Sequence, residues 1–225
     1  MGHPKIRLPQ AARGAYALRR VNEMGKHVGN RASHQLSWLL RHGAGEARIE
    51  MDAAGWVAID EVLRALRMTR AAMETAVEEN EKARFEVRGG RIRACQGHSA
   101  QGMPVTPEAL EASWTRWEGE GPVWHGTRIA ALAGIAREGL LPGERTHVHL
   151  AEALDSTVGK RANVDVMLEV SPARLAALGY GLFVSPNGVL LARAVPPSAI
   201  VGVRAMTDRA RRQGDSLRAL FTATT

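Results

Sequence analysis

The spacing of apolar residues changes period part-way along the chain, and that change limits the folds available to it. From Ser33 the pattern is helical: Leu36, Leu39 and Leu40 form an i, i+3, i+4 stripe behind Ser33 as capping residue, with His34, Ser37, Trp38 and Arg41 on another face and a stop near Gly43. A short strand is expected around 49–51, a turn at Asp52 to Gly55, a second helix over 60–66 and a third, capped by Thr69, to about Glu81. Past residue 84 the period drops to two. Arg84-Phe85-Glu86-Val87-Arg88 and Arg91-Ile92-Arg93-Ala94 alternate on either side of Gly89-Gly90, the signature of a hairpin whose polar side is mostly cationic. Three helices followed by a basic hairpin predict a winged-helix lobe.

Residues 100–121 are rich in Gly, Pro, Ser and Glu and read as a linker with a short helix near 107–117. Beyond it, short apolar runs at 123–124, 148–151, 164–170, 182–184, 189–192 and 200–203 alternate with turn signals, with one helix at 129–138 stopped by Gly139. The expected fold class is α+β: a basic arm over 1–31, a winged-helix lobe over 32–99, the linker, and a β-rich lobe over 122–225. The arm carries Lys5, Arg7, Arg13, Arg19, Arg20, Lys26 and Arg31 against Glu23 alone, which suits a phosphate-attracting tail, an extended terminus or an organellar transit peptide.

Charge narrows the partners. The chain has 30 basic and 23 acidic residues, and only four of the basic ones, Lys5, Lys26, Lys82 and Lys160, are lysine. This points to a nucleic acid or an anionic nucleotide, although codon bias also produces arginine. With one cysteine, Cys95, neither an internal disulfide nor a cysteine-rich zinc site can form. No apolar run approaches the roughly 18 residues of a membrane span and no secretory block opens the chain, so a cytoplasmic protein is expected. A monomer is expected because no self-complementary apolar stripe stands out. Neither G-x-G-x-x-G nor G-x-x-x-x-G-K-[ST] occurs, so any nucleotide must be held another way.

Two places carry candidate chemistry. His147 and His149 fall on one face of a strand, which fits zinc, a nucleotide pocket or cross-strand packing; no nearby acid or cysteine completes a metal set, and no metal is expected. His125-Gly126-Thr127 follows a short strand and precedes a helix, where backbone N–H groups and a hydroxyl can receive a phosphate or ribose.

The segment Ser33-His34-Gln35-Leu36-Ser37-Trp38-Leu39-Leu40-Arg41-His42 resembles the S-K-x-L-S-x-x-L-R-H opening of the RNA 2'-phosphotransferase family, enzymes that remove the splice-junction 2'-phosphate from tRNA using NAD. Gly55-Trp56-Val57 with Asp60-Glu61-Val62-Leu63, Lys82-Ala83-Arg84-Phe85 and Ile92 to Ser99 are similar to its next blocks. His125-Gly126-Thr127, Arg145 to Leu150, Val158-Gly159-Lys160-Arg161, Asn187-Gly188-Val189 and Pro196-Pro197 follow in order, so the resemblance spans about 33–205. Departures are His34 for Lys, Glu81 for Asp, Cys95 for Asn, Ala162 for His and Leu190 for an aromatic; His34 matters most, because it stands where the family makes a phosphate contact.

The resemblance implies a winged-helix lobe joined to an ADP-ribosyltransferase lobe and a reaction in two steps. The RNA 2'-phosphate first displaces nicotinamide from NAD, giving ADP-ribosylated RNA. The ribose 2''-hydroxyl then attacks that phosphorus, releasing 2'-OH RNA and ADP-ribose 1'',2''-cyclic phosphate. Arg41, Arg84 and Arg145 match the family's catalytic arginines, which would clamp the phosphate in place of Mg²⁺, and His42 its catalytic histidine. His125, Gly126, Thr127 and His149 resemble its NAD-binding residues, and Ser185, Asn187 and Gly188 lie in a block that meets NAD or the phosphate. Val189 stands where protein-modifying ADP-ribosyltransferases place a glutamate, which favours an anionic RNA acceptor. Two other readings stand beside this: a transferase that stops after the first step, and a winged-helix regulator.

Overall fold

Leu36, Leu39 and Leu40 are fully buried along one face of the opening helix, as their spacing requires. The computed structural model describes residues 30–156 and 164–222; the basic arm up to residue 29, the Val158 to Arg161 block and Ala162 lie outside the described residues. The opening helix is already formed at residue 30, so Ser33 sits inside it and does not cap it. Instead Ser33 Oγ accepts from Asn80 Nδ2 at 3.0 Å, tying the helix to a distant loop. The helix also passes the expected stop at Gly43: it widens into a π-turn over Leu39–Gly43 and closes with Ala44–Ala47. A π-turn inserts one residue into a helical turn and re-aims the side chains it carries, here Arg41 and His42.

The first sheet comprises β1 (Val57–Ala58), β2 (Phe85–Arg88) and β3 (Arg91–Ala94) in the order β1-β3-β2, all antiparallel. Arg88 pairs with Arg91 across Gly89 and Gly90, both at positive φ, which is the two-glycine hairpin predicted from sequence. Helices Ile59–Leu66 and Arg70–Glu78 pack below, and Thr69 Oγ1 accepts from Ala72 N at 3.2 Å as an N-cap. The strand expected at 49–51 is reduced to a single bridge between Met51 and Val57, because no further partner backbone reaches it.

The stretch read as a linker is packed structure. Thr106 caps helix Pro107–Ala112, and β4 (Thr115–Arg116) follows. Val105, Leu110 and Trp114 are buried in the first core, and Trp114 Nε1 donates to Cys95 O at 3.1 Å. The remaining strands are β5 (Val123–Thr127), β6 (Val148–Leu150), β7 (Val166–Val170), β8 (Phe183–Val184), β9 (Leu190–Ala192) and β10 (Ile200–Ala205). They form sheets β10-β7-β5 and β4-β8-β9-β6, both antiparallel. The chain is therefore α+β, and among its described residues no helix is long and apolar enough to cross a membrane.

The two cores meet at β9. Leu190 and Ala192 point into the second core, while Val189 and Leu191 belong to the first. A strand buried on both faces needs a continuous apolar run rather than an alternating one, which is why 189–192 holds no polar residue. His149 pairs in register with Leu191, whereas its neighbours Val148 and Leu150 lie in the second core. Period two thus aims His149 at the junction with the first lobe.

Candidate active site

Three guanidiniums converge at that junction from three separate elements. Arg41 comes from the π-turn, Arg84 from the loop entering β2, and Arg145 from the segment before β6. Burial is the main reason the Arg41 pKa falls to about 10, and the charges of Arg84 and Arg145 lower it further; Arg41 remains cationic at neutral pH. Its Nε and Nη2 are buried and make no hydrogen bond among the described residues. A guanidinium with buried, unused donors held against two like charges is chemically suited to an oxyanion, which would offset both penalties.

The backbone enforces this meeting. Gly97, at φ +88°, lies against Arg41: a Cβ there would stand 3.6 Å from Nε, in a conformation that side chains rarely adopt. Ser99 N donates to Arg41 O at 2.9 Å and Thr146 N to His98 O at 3.1 Å, so residues 97–99 stitch the π-turn to the Arg145 segment. Arg84 is set by a left-handed residue before it, Ala83 at φ 41°, with Ala83 N donating to Asn80 O at 2.7 Å. From the second lobe Asn187 Nδ2 donates to Lys82 O at 2.9 Å.

The histidines divide into two groups. His42 Nδ1 is 2.9 Å from Ser99 Oγ, and its pKa is lowered by partial burial and by Arg41 and Arg145. His149 lies between lobes, with Nε2 2.8 Å from Gln96 Oε1 and Nδ1 2.9 Å from Arg145 Nη1. Burial, then Arg145 and Arg41, push its pKa down to about 3. His125 Nδ1 donates to His149 O at 2.9 Å. His147 turns instead to Glu111 at 3.1 Å and packs edge-on against Trp114, with ring centroids 4.9 Å apart; Glu111 is held in turn by Arg193 at 2.7 and 2.8 Å. Of the two same-face histidines, His149 belongs to the site and His147 to packing. Among the described residues no group of three or more His, Cys, Asp or Glu could hold a metal ion.

Two expected placements differ. His125, Gly126 and Thr127 lie within β5, not after it, with Gly126 opposite Met167 and Thr127 opposite Val166. Gly126 is needed there because a Cβ would stand 2.7 Å from Val164 Cγ1. The helical segment beyond does not offer its N–H groups freely: Ile129 N donates to Asp165 Oδ2 at 3.2 Å, which places a carboxylate where a phosphate was expected. Ser185, Asn187 and Gly188 form the tight turn between β8 and β9; Gly188 N donates to Ser185 O, and Ser185 Oγ lies 2.9 Å from Asn187 Oδ1. The Asn187 contact with Lys82 O makes this turn a brace for the Arg84 loop.

Residue-by-residue reading missed Gln96, Gly97 and Ser99 as site components. Their one signal was membership of the Ile92 to Ser99 block, because the contacts they make are between residues up to 57 positions apart. It missed His98 as well, which is completely buried, with neither ring nitrogen hydrogen-bonded among the described residues.

His98 and His149 predict an acid limit. Burial depresses both pKa values to about 3, against an ordinary 6.5. Between those values the unfolded chain binds protons that the folded chain refuses, so stability falls as pH drops below 6.5 and levels off near 3. Each ring contributes up to about 1.4 kcal/mol per pH unit over that window, and nothing above it. Urea unfolding at a series of pH values should show this slope, and His98→Leu should reduce it by about one proton; a wild-type stability that is flat on the acid side would refute the assignment.

Arg41, with two buried unused donors and the charges of Arg84 and Arg145 beside it, gives this junction the chemistry to receive an anionic group. The sequence matches the family described as RNA 2'-phosphotransferase, Tpt1/KptA family, over residues 28–194, and the chain belongs to this family. It is 38% identical over 184 residues to the probable RNA 2'-phosphotransferase of Burkholderia lata, covering 78% of this chain and 91% of that protein. The probable RNA 2'-phosphotransferases of Rhizobium johnstonii and Pseudomonas syringae pv. tomato are 35% and 36% identical, over 73% and 77% of this chain and 89% and 94% of theirs.

Proposed function

We propose that this chain removes an internal 2'-phosphate from RNA, of the kind left at a tRNA splice junction, and that it consumes NAD in doing so, with a winged-helix lobe and an ADP-ribosyltransferase-type lobe closing on the phosphate. The observation that carries the reading is Arg41, whose buried Nε and Nη2 lack partners while Arg84 and Arg145 add charge beside it. A phosphate monoester presents two charges and three acceptor oxygens, which suits three guanidiniums better than a phosphodiester would.

NAD would supply an electrophilic ribose carbon and, next to it, a hydroxyl. The donor set fits such a group: His125 has its ring fixed by His149 O, Gly126 and Thr127 share the same strand, and Arg145 and His149 lie across from it. In the first step Arg41, Arg84 and Arg145 hold the 2'-phosphate while one of its oxygens bonds to the ribose carbon and the bond to nicotinamide breaks. In the second the neighbouring hydroxyl attacks phosphorus and the bond to the RNA 2'-oxygen breaks. His42 is neutral at pH 7, because its pKa lies below the ordinary 6.5, and it can take the hydroxyl proton and return it to the leaving 2'-oxygen. The arginines stabilise charge spread over the phosphoryl oxygens without themselves losing a proton.

The test is incubation of the purified chain with a short RNA bearing one internal 2'-phosphate, with and without NAD, followed by mass analysis. Loss of the phosphate only with NAD, together with nicotinamide and a cyclic-phosphate form of ADP-ribose, is the expected result. A persistent RNA–phosphate–ADP-ribose adduct would indicate a transferase that stops after one step, and unchanged RNA and NAD would overturn both.

A further inference from the structure

Arg145 Nη1 can only donate, so His149 Nδ1, 2.9 Å from it, carries no proton. The single ring proton must then stand on Nε2, where it is donated to Gln96 Oε1 at 2.8 Å. The other tautomer would set an N–H against the guanidinium N–H and leave Gln96 Oε1 facing a bare nitrogen. Gln96 follows directly after β3 and the buried Cys95, so the group that decides the tautomer belongs to the first lobe and the ring to the second.

We propose that Gln96 is a positioning residue: it holds His149 as the Nε2–H tautomer, and His149 in turn accepts from Arg145 and aims that guanidinium at the substrate phosphate. A neutral amide is the acceptor this requires. Among the described residues the charged and titratable groups facing His149 are Arg145 and His147 from its own segment, Arg41 from the π-turn and His125 from β5, none of them a carboxylate. A carboxylate at position 96 would supply the missing counter-charge, draw a second proton onto the ring and turn Nδ1 into a donor that repels Arg145. Burial already keeps the wild-type ring neutral, which is the condition under which it can accept from an arginine. The consequence for activity rests on the reading of Arg145 as a phosphate ligand; the tautomer does not.

Two readouts on the full chain test this. In the wild type labelled with ¹⁵N-histidine, His149 should show an unprotonated Nδ1 and a protonated Nε2 throughout the neutral range. Gln96→Glu should raise the ring's pKa into that range, and its rate of 2'-phosphate removal should fall about tenfold or more on the acid side and recover on the alkaline side, an acid limb displaced to higher pH than the one protonation of His42 gives the wild type. Gln96→Met, which keeps the volume but removes the acceptor, should lower kcat by a similar factor at every pH and show mixed tautomers. A proton on wild-type Nδ1, a single unchanged tautomer in Gln96→Met, or the same pH profile in wild type and Gln96→Glu would each overturn the proposal. A wild type that does not dephosphorylate RNA would sink the functional reading instead, and the nitrogen shifts would still decide the tautomer.

Discussion

Replacing Arg41 with methionine is expected to lower the rate of 2'-phosphate removal by about 10²–10³-fold, the usual cost of deleting one pre-set donor aimed at developing oxyanion charge. The same change should leave the melting temperature level or raise it. Arg41 is part-buried, with Nε and Nη2 buried and unpaired, and Arg84 and Arg145 repel it, so the folded state bears a desolvation and like-charge penalty that methionine removes. Opposite movement of activity and stability is the mark of a residue kept for function. Arg41→Lys should fall between, because it keeps the charge and loses the planar fork. Rates on the 2'-phosphorylated RNA and thermal melts of the three proteins make the comparison; a methionine variant that retains full activity, or one that loses several degrees of stability, would contradict the phosphate-receiving role.

Arg93 should behave in the contrary way. It is 3% exposed, Nε and Nη2 meet Glu86 at 2.8 and 2.7 Å, and Nη1 meets Ala54 O at 3.2 Å and Ser113 Oγ at 2.7 Å. The guanidinium also lies 4.7 Å from the Trp56 ring. One side chain therefore joins the β-hairpin, the loop before β1 and the end of helix Pro107–Ala112. Arg93→Met is expected to destabilise the fold by about 3 kcal/mol, the lower end for breaking a buried ion pair, because Glu86 keeps some access to water. Adding Glu86→Gln should restore part of that loss, and catalysis in the folded fraction should change little. Urea unfolding of the single and double variants is the check, and a change within about 0.5 kcal/mol for Arg93→Met would refute it.

Residues such as Thr69, Gly89 and Gly90 were legible because their signals are local. A hydroxyl three residues from an orphan N–H makes a cap, and two adjacent glycines make a tight hairpin turn, whatever surrounds them. Arg41, His42, Arg84 and Arg145 were legible as a set only through motif order, since nothing in their own segments says that they meet. Ser33 was misread because a serine before an apolar stripe looks the same whether the helix starts there or earlier, and Asn80, which claims its hydroxyl, is 47 positions away. The 100–121 stretch looked like a linker because its buried residues Val105, Leu110 and Trp114 are few and spaced among polar ones.

The sequence by itself determined the α+β class, the basic hairpin, an apolar run at 189–192 and membership of the family, since each depends on residue type at short or ordered spacing. Tertiary structure decided which of His147 and His149 enters the site, sent the first to Glu111 and the second to Arg145 and Gln96, and turned Arg41 inward from a π-turn. The reason is physical: a side chain's partner and protonation are set by whatever packing brings within about 3 Å. For His149 the acceptor that settles the ring proton lies 53 positions away, in the other lobe.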